Sequence, residues 1–273
     1  MPEREPRLVL LDMIDDKITT YCPDPDDPVL SSFYKTREWV IMEKLGEEPC
    51  PITPKDSAQG MGPAFTVGKY RCYRLENGYE HGYEAIMHIY KQIPLDGTEL
   101  HSLEDRKKQA TTRSHVELNA LKNFTENRCP FTPKLLGYQI NQQGRDDLVP
   151  QGYIIYLVFE EGPGSPLQLE QFWNLRRNDR GLIREKFRVA YMEILGLGFK
   201  PLAPDLSKII LHGTGKQAKI KITGFDVAME IDQEPKWTDY NLLIYRLALP
   251  PSRKEKYVPT GKDIETDRYG WRW

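Results

Sequence analysis

The segment KITGFDVA, residues 221–228, places a carboxylate just after a run of alternating apolar and polar residues. These eight residues end a predicted alternating strand, with Gly224, Phe225 and Asp226 at their centre. A carboxylate there is a candidate ligand for a hard cation such as Mg²⁺. The function of Asp226 decides whether the chain is an enzyme. The other candidate side chains are Asp205, His88, Lys91 and Glu117.

The composition excludes several classes of function. The chain has 273 residues, of which 39% are hydrophobic and 29% charged, as is typical of a soluble globular protein. Its longest apolar run, residues 153–159, is far shorter than the ~20 residues of a membrane-spanning helix. A net charge of −2 argues against nucleic acid as the main partner. Four cysteines without CxxC spacing predict neither a zinc site nor a disulfide framework, and favour a cytoplasmic or nuclear setting.

Hydrophobic periodicity predicts the elements that position these residues. An Asn-Gly pair between two alternating segments is a hairpin signal. A charged segment with Val116, Ala120 and Phe124 on one face predicts a helix. The predicted elements are a strand at 7–14, a helix at 26–48 starting near Asp27 and Pro28, strands at 64–78 and 83–94, a helix at 102–124, strands at 132–140 and 152–161, a helix at 181–199, a strand hairpin at 207–213 and 219–229, and a helix at 237–249.

Five segments, taken in chain order, resemble motifs of the protein-kinase superfamily. The sequence is similar to the small kinase-like proteins that are common in filamentous fungi, and the resemblance covers roughly residues 64–250. The segments are YEAIMHIYKQIP (83–94), SHVELNAL (114–121), LVFEEGPGSPL (157–167), LAPDLSKIIL (202–211) and KITGFDVA (221–228).

The resemblance implies that His88 stands where the family has its phosphate-binding lysine, and that Glu117 is the glutamate that pairs with it. A histidine is shorter than lysine and offers a directed donor instead of a mobile charge. Lys91 would face the other side of the strand unless a bulge intervenes. Either Glu117 keeps His88 protonated as a weak phosphate contact, or the pair ties strand to helix. The second interpretation is favoured.

The resemblance matches Asp205 to the catalytic aspartate, with Ile209 in place of the magnesium-binding asparagine. The alternative is a turn residue that follows Pro204. Gly224 occupies the place of the magnesium-binding aspartate, and Asp226 is displaced by two residues, about 6.5 Å along a strand. Magnesium requires ligands at about 2.0–2.1 Å, so the metal site is expected to be lost unless the chain refolds locally at Gly224.

Two further segments bear on nucleotide binding. The family's phosphate-binding loop usually contains two or three glycines, whereas Gly68 stands alone here, which favours a structural hairpin. The segment that resembles the hinge implies Phe159 as gatekeeper, with Glu160 and Gly162 near an adenine. A nucleotide could therefore still bind weakly.

Together these observations predict an α+β, two-lobed protein-kinase-like fold. Residues 1–60 form an N-terminal extension, 61–160 a β-rich N-lobe with one helix, and 161–273 a reduced, mainly helical C-lobe with a polar tail. The predicted function is that of a catalytically deficient kinase-like protein, a pseudokinase, which acts as a scaffold or regulator by binding another protein. No cofactor, nucleic acid or membrane is expected.

The alternative function is an atypical ATP-dependent phosphotransferase that acts on a protein or a small molecule. The resemblance then implies that Asp205 is the base, that Asp226 binds Mg²⁺, and that His88 or Lys91 contacts phosphate.

Overall fold

The computed structural model describes most of the chain in two compact units. Within the described ranges, none of the helices combines the length and the apolar character that a membrane crossing requires. The first unit comprises Met1–Leu118 and Lys134–Glu161, and the second comprises Asn119–Pro133 and Gly162–Trp273. The described residues are 9–10, 13–22, 36–76, 79–232, 234–251 and 269–273.

The first unit is built on six strands: β1 (Lys17–Tyr21), β2 (Thr36–Cys50), β3 (Phe65–Glu76), β4 (Tyr79–Gln92), β5 (Leu135–Gln142) and β6 (Tyr153–Glu160). They form a closed antiparallel barrel in the order β1-β2-β3-β4-β6-β5, and Tyr21 pairs with Tyr138 where β1 meets β5. Apolar side chains fill the interior, including Trp39, Tyr70 and Met87, each at most 1% exposed. Three helices occur in this part of the chain: α1 (Pro54–Ala58), α2 (Leu103–Lys107) and α3 (Val116–Glu126). The residues of α3 from Asn119 onward belong to the second unit.

A short N-terminal segment is fixed to the barrel by the buried carboxylate of Glu47. That carboxylate accepts hydrogen bonds from the Val9 N–H (2.8 Å), the Lys44 ammonium (2.6 Å) and the Thr66 hydroxyl (2.8 Å). Lys44 also donates to the main-chain oxygen of Leu10 (2.8 Å). Burial by itself raises the pKa of Glu47, but these donors outweigh it and lower the pKa below its ordinary value.

The helix predicted at 26–48 is wrong, because β2 occupies its described part. The glutamates and lysines of this segment favour a helix, but both edges of the chain pair with neighbouring strands, β1 and β3. Trp39 and Ile41 alternate into the barrel interior, where each is fully buried. Asp27 and Pro28, the expected start of that helix, lie outside the described residues.

In its described residues, the second unit combines most of α3 with three further helices and five short strands. The strands β10, β9 and β7 form one sheet, and β11 pairs with β8 in another. The predicted hairpin is confirmed as β9 and β10, and the predicted helix as α5, which buries Phe187 and Tyr191. The elements are β7 (Ser165–Pro166), α4 (Leu169–Asn174), α5 (Arg177–Gly196), β8 (Phe199–Pro201), β9 (Ile209–His212), β10 (Lys219–Ile222), β11 (Ala228–Glu230) and α6 (Tyr240–Ile244).

The structure contradicts the predicted two-lobed kinase-like fold. The strands expected to form an open β-rich lobe close into a barrel, and two of its strands, β1 and β2, come from the region expected to be an extension. Closure pairs the strand edges that an open sheet leaves exposed. The second unit is also not mainly helical, because five strands accompany its helices in the described residues. The single helix predicted at 102–124 is two helices, α2 and α3.

Candidate functional site

The structure brings His88 and Glu117 together in the first unit. Met87 and Ile89 fill the barrel interior, so His88 and Tyr90 face outward from the same strand. The Nδ1 atom of His88 lies 2.8 Å from Oε2 of Glu117, the second residue of α3. His88 is 8% exposed and Glu117 is 3% exposed, so the pair is enclosed by protein.

Two residues that the sequence analysis missed complete this site. The Tyr90 hydroxyl donates to the same carboxylate oxygen of Glu117 at 2.6 Å. The Tyr90 ring stacks on His115, with ring centroids 3.7 Å apart, and the Glu117 N–H donates to Nδ1 of His115 at 3.4 Å. The sequence could have indicated Tyr90, because it is two residues from His88 on the same strand and such residues share a face. The carboxylate of Glu117 is therefore held by two side-chain donors of the barrel.

Lys91 does not substitute for His88. Strand β4 continues without a register shift from Ala85 to Gln92 against β3, so Lys91 faces the opposite side from His88. Its ammonium donates to Oδ1 of Asp147 at 2.8 Å. Burial raises the pKa of Asp147, but the bonds from Lys91 and from a backbone N–H outweigh it and lower the pKa below its ordinary value.

The predicted hinge residues are divided between the two units. Phe159, on β6, is 9% exposed and packs edge-on against the His88 ring at 4.9 Å. The N–H of Glu160 donates to the main-chain oxygen of Lys134 at 3.0 Å. Gly162, in the second unit, has a φ of +70°, a backbone conformation that favours glycine. Each position thus has a structural explanation in its own unit.

Gly68 serves packing inside the barrel. A Cβ atom at this position would lie 2.7 Å from Cδ1 of Leu10 and 2.7 Å from Cε2 of Tyr70. These contacts are closer than packed carbon atoms permit. The absence of a side chain at Gly68 therefore admits Leu10, and the predicted structural hairpin is confirmed as the antiparallel pair β3 and β4.

Asp205 caps a short turn in the second unit. It precedes the 3₁₀ turn Leu206–Lys208, and its Oδ1 atom accepts from the Ser207 hydroxyl (2.6 Å) and the Ser207 N–H (2.9 Å). These two hydrogen bonds, with a smaller contribution from the Arg246 charge, hold the pKa of Asp205 below its ordinary value. The geometry agrees with the turn-residue interpretation of Asp205.

Gly224 is required by the backbone of KITGFDVA. Its φ is +86°, and a Cβ atom there would lie 2.9 Å from Cδ of Lys208. The next residue, Phe225, is buried and packs edge-on against Phe124 at 4.8 Å. Asp226 is half-buried in the loop that precedes β11. The glycine at this position therefore has a conformational reason that is independent of metal binding.

An apolar patch lies on the sheet formed by β8 and β11. The Leu202 N–H donates to the main-chain oxygen of Val227 at 2.8 Å, one step beyond the pair Ala228–Pro201. Val227 and Met229 are two residues apart and so share a face with Leu202. These three side chains are 50%, 45% and 48% exposed, respectively. The apolar patch of Leu202, Val227 and Met229 was not apparent from the sequence.

Neither metal geometry nor relatives assign a chemistry to these residues. Across the described ranges, no three His, Cys, Asp or Glu side chains are grouped so that they could hold a metal ion. Comparison with models of known protein families finds no match to the chain, and comparison with curated proteins finds no relative. A function has to be inferred from the geometry of the chain itself.

Proposed function

We propose that this protein acts by binding another protein, as a scaffold or regulator, and does not transfer phosphoryl groups. The observation that carries the proposal is the apolar patch of Leu202, Val227 and Met229, three side chains about half exposed on β11 and at the paired ends of β8 and β11. Isolated apolar side chains are common on protein surfaces, but adjacent ones mark contact sites for other proteins.

The engagement of the candidate catalytic groups supports the same proposal. A general base or a phosphate ligand must be able to reach its substrate. Glu117 is buried and accepts from His88 and Tyr90, Lys91 pairs with Asp147, and Asp205 caps a turn. These groups stabilise the fold of their own units, which explains their presence without a catalytic function.

The binding proposal is tested by placing charges on the apolar patch. Leu202→Asp combined with Val227→Asp is expected to reduce the recovery of a stoichiometric partner from native extract by roughly tenfold or more, because a buried charge at an interface is strongly unfavourable. The measurement is quantitative mass spectrometry of proteins retained by the full chain. Val189→Asp, at an exposed valine of α5, is the matched control and is expected to retain the partner. Equal recovery with all three proteins would refute the proposal.

The phosphotransferase alternative is tested by thermal unfolding with ATP, with and without Mg²⁺. A ligand that binds the native state raises the midpoint of unfolding. We expect no magnesium-dependent increase. An increase that requires Mg²⁺ and disappears in Asp226→Ala would contradict the proposal and restore the enzymatic interpretation.

A further inference from the structure

A cluster of arginine and tryptophan side chains stands around the start of α5 in the second unit. Trp173 is 7% exposed, and three guanidinium groups lie over its ring, with the Cζ atoms of Arg272, Arg180 and Arg184 at 4.5, 5.2 and 5.9 Å from the centroid. The Arg184 guanidinium also lies 6.0 Å from the Trp273 ring. These five residues are called the arginine–aromatic cluster.

The cluster has more buried donors than acceptors. Arg180 is engaged by main-chain oxygens, including that of Trp273 at 2.8 Å from Nη2. Arg184 uses Nε to donate to the main-chain oxygen of Leu247 at 2.7 Å. Its Nη2 atom and Nε1 of Trp173 are buried without a hydrogen-bond partner among the described residues. Guanidinium and indole nitrogens only donate, so the partner that both lack is an acceptor.

Two of the three arginines, Arg184 and Arg272, also lack an acidic partner in the part of the chain that the structure describes. Among the described residues, no Asp or Glu forms an ion pair with Arg184 or Arg272, whereas Arg180 donates through Nε (3.2 Å) and Nη2 (2.8 Å) to the main-chain oxygen of Trp273. Burial, together with the nearby charges of Arg180 and Arg177, lowers the pKa of Arg184 to about 10. Helix α5 begins at Arg177, preceded by Arg176, so cations stand at the positive end of its dipole. An anion bound here would relieve each of these unfavourable terms.

We propose that the arginine–aromatic cluster binds a phosphate group. The guanidinium groups of Arg184 and Arg272, beside the charge of Arg180, match a dianion better than they match a monoanionic carboxylate, and their planar forks suit phosphate oxygens. Arg272 is the exposed member of the cluster, so the anion is expected to approach from the side of Arg272. This inference goes beyond the proposed protein binding and does not depend on it.

The test uses the full chain and inorganic phosphate, titrated against chloride at matched ionic strength. Phosphate is expected to raise the unfolding midpoint and to change tryptophan fluorescence, because Trp173 lies in the cluster. Arg184→Gln is expected to weaken phosphate binding roughly tenfold or more, since hydrogen bonds to charged groups are the strong ones. Arg188→Gln is the matched control: Arg188 lies on the same helix, over Trp237 at 5.5 Å, and its loss should leave phosphate binding unchanged.

A second variant covers the case in which Arg184→Gln does not fold. Arg272→Gln changes an exposed side chain and is also expected to weaken phosphate binding severalfold. Absence of a phosphate effect beyond chloride would overturn the inference, and would mean that water satisfies the buried donors. An equal loss in Arg188→Gln would overturn it in favour of general charge attraction. Binding of acetate as strong as that of phosphate would overturn the assignment to a dianion.

Discussion

Each unit contains an ionisable side chain with buried polar atoms, and the two side chains differ in how many of those atoms have a hydrogen-bond partner. In the first unit, the Glu117 carboxylate accepts from His88 at 2.8 Å and from Tyr90 at 2.6 Å. In the second unit, the Arg184 guanidinium has one carbonyl partner, at Leu247, and a buried Nη2 without any among the described residues. The fold thus supplies donors to the Glu117 carboxylate, but it leaves one buried donor of Arg184 without an acceptor among the described residues.

This difference in hydrogen-bond partners indicates how structural charges can be separated from functional ones. A buried charge is stable only when hydrogen bonds and opposite charges replace its water shell. Glu117 has this replacement within the barrel, so its pairing with His88 is explained by stability alone. Arg184 has no partner for its Nη2 atom among the described residues, and this is why we propose that an anion binds beside it. The residues that resemble a catalytic motif are thus the weaker functional candidates.

The largest expected effect is that of Glu117→Ala. The substitution removes the buried acceptor that His88 and the Tyr90 hydroxyl share, at a cost of about 3–5 kcal/mol in the free energy of unfolding. Urea denaturation measures this loss. Glu117→Gln keeps an acceptor oxygen and is expected to cost clearly less. A loss below about 1 kcal/mol for Glu117→Ala would show that the carboxylate is not a structural partner.

Gly224→Ala is expected to have an intermediate effect. An alanine at the φ of +86° costs about 1–2 kcal/mol, and its Cβ atom would also displace the Lys208 side chain. Gly181→Ala is the matched control, because Gly181 lies within α5 and an added Cβ atom there would meet open space. That control should gain about 0.5–1 kcal/mol. Equal stability of the two variants would contradict the conformational explanation of Gly224.

Asp205 is expected to contribute the smallest and the most pH-dependent effect. Its folded pKa lies below the ordinary value of 3.8, so its stabilisation is complete above that pH and is lost as the pH falls through the folded pKa. Asp205→Ala should therefore cost about 1 kcal/mol at pH 7, and less at pH 3. Urea denaturation at both pH values tests this. An equal cost at the two pH values would exclude the charge of Asp205 as its source.

The sequence predicted those parts of the fold that depend on local pattern. The hairpin of β3 and β4 and the helix α5 were recognisable, because alternation and helical spacing are encoded within each segment. The strand β2 was mistaken for a helix, because its conformation depends on pairing with β1 and β3. Closure of the barrel involves segments far apart in the chain, and no local pattern reveals such pairing.

The candidate sites were predictable to a smaller degree. The sequence paired His88 with Glu117 through a resemblance, but it missed Tyr90, although alternation places Tyr90 on the same strand face. It also passed over the arginines at 180, 184 and 188, which repeat at a spacing of four. Like charges at that spacing destabilise a helix unless an anion or an aromatic ring compensates them, and this was the available signal.

The comparison between the two units is tested most directly by the effect of inorganic phosphate on the unfolding midpoint of three proteins: the native chain, Glu117→Gln and Arg184→Gln. At matched ionic strength, we predict that Glu117→Gln unfolds at a lower temperature but keeps the full increase caused by phosphate. We predict that Arg184→Gln loses that increase. Loss of the phosphate effect in Glu117→Gln with its retention in Arg184→Gln, or an equal effect in all three proteins, would contradict the account.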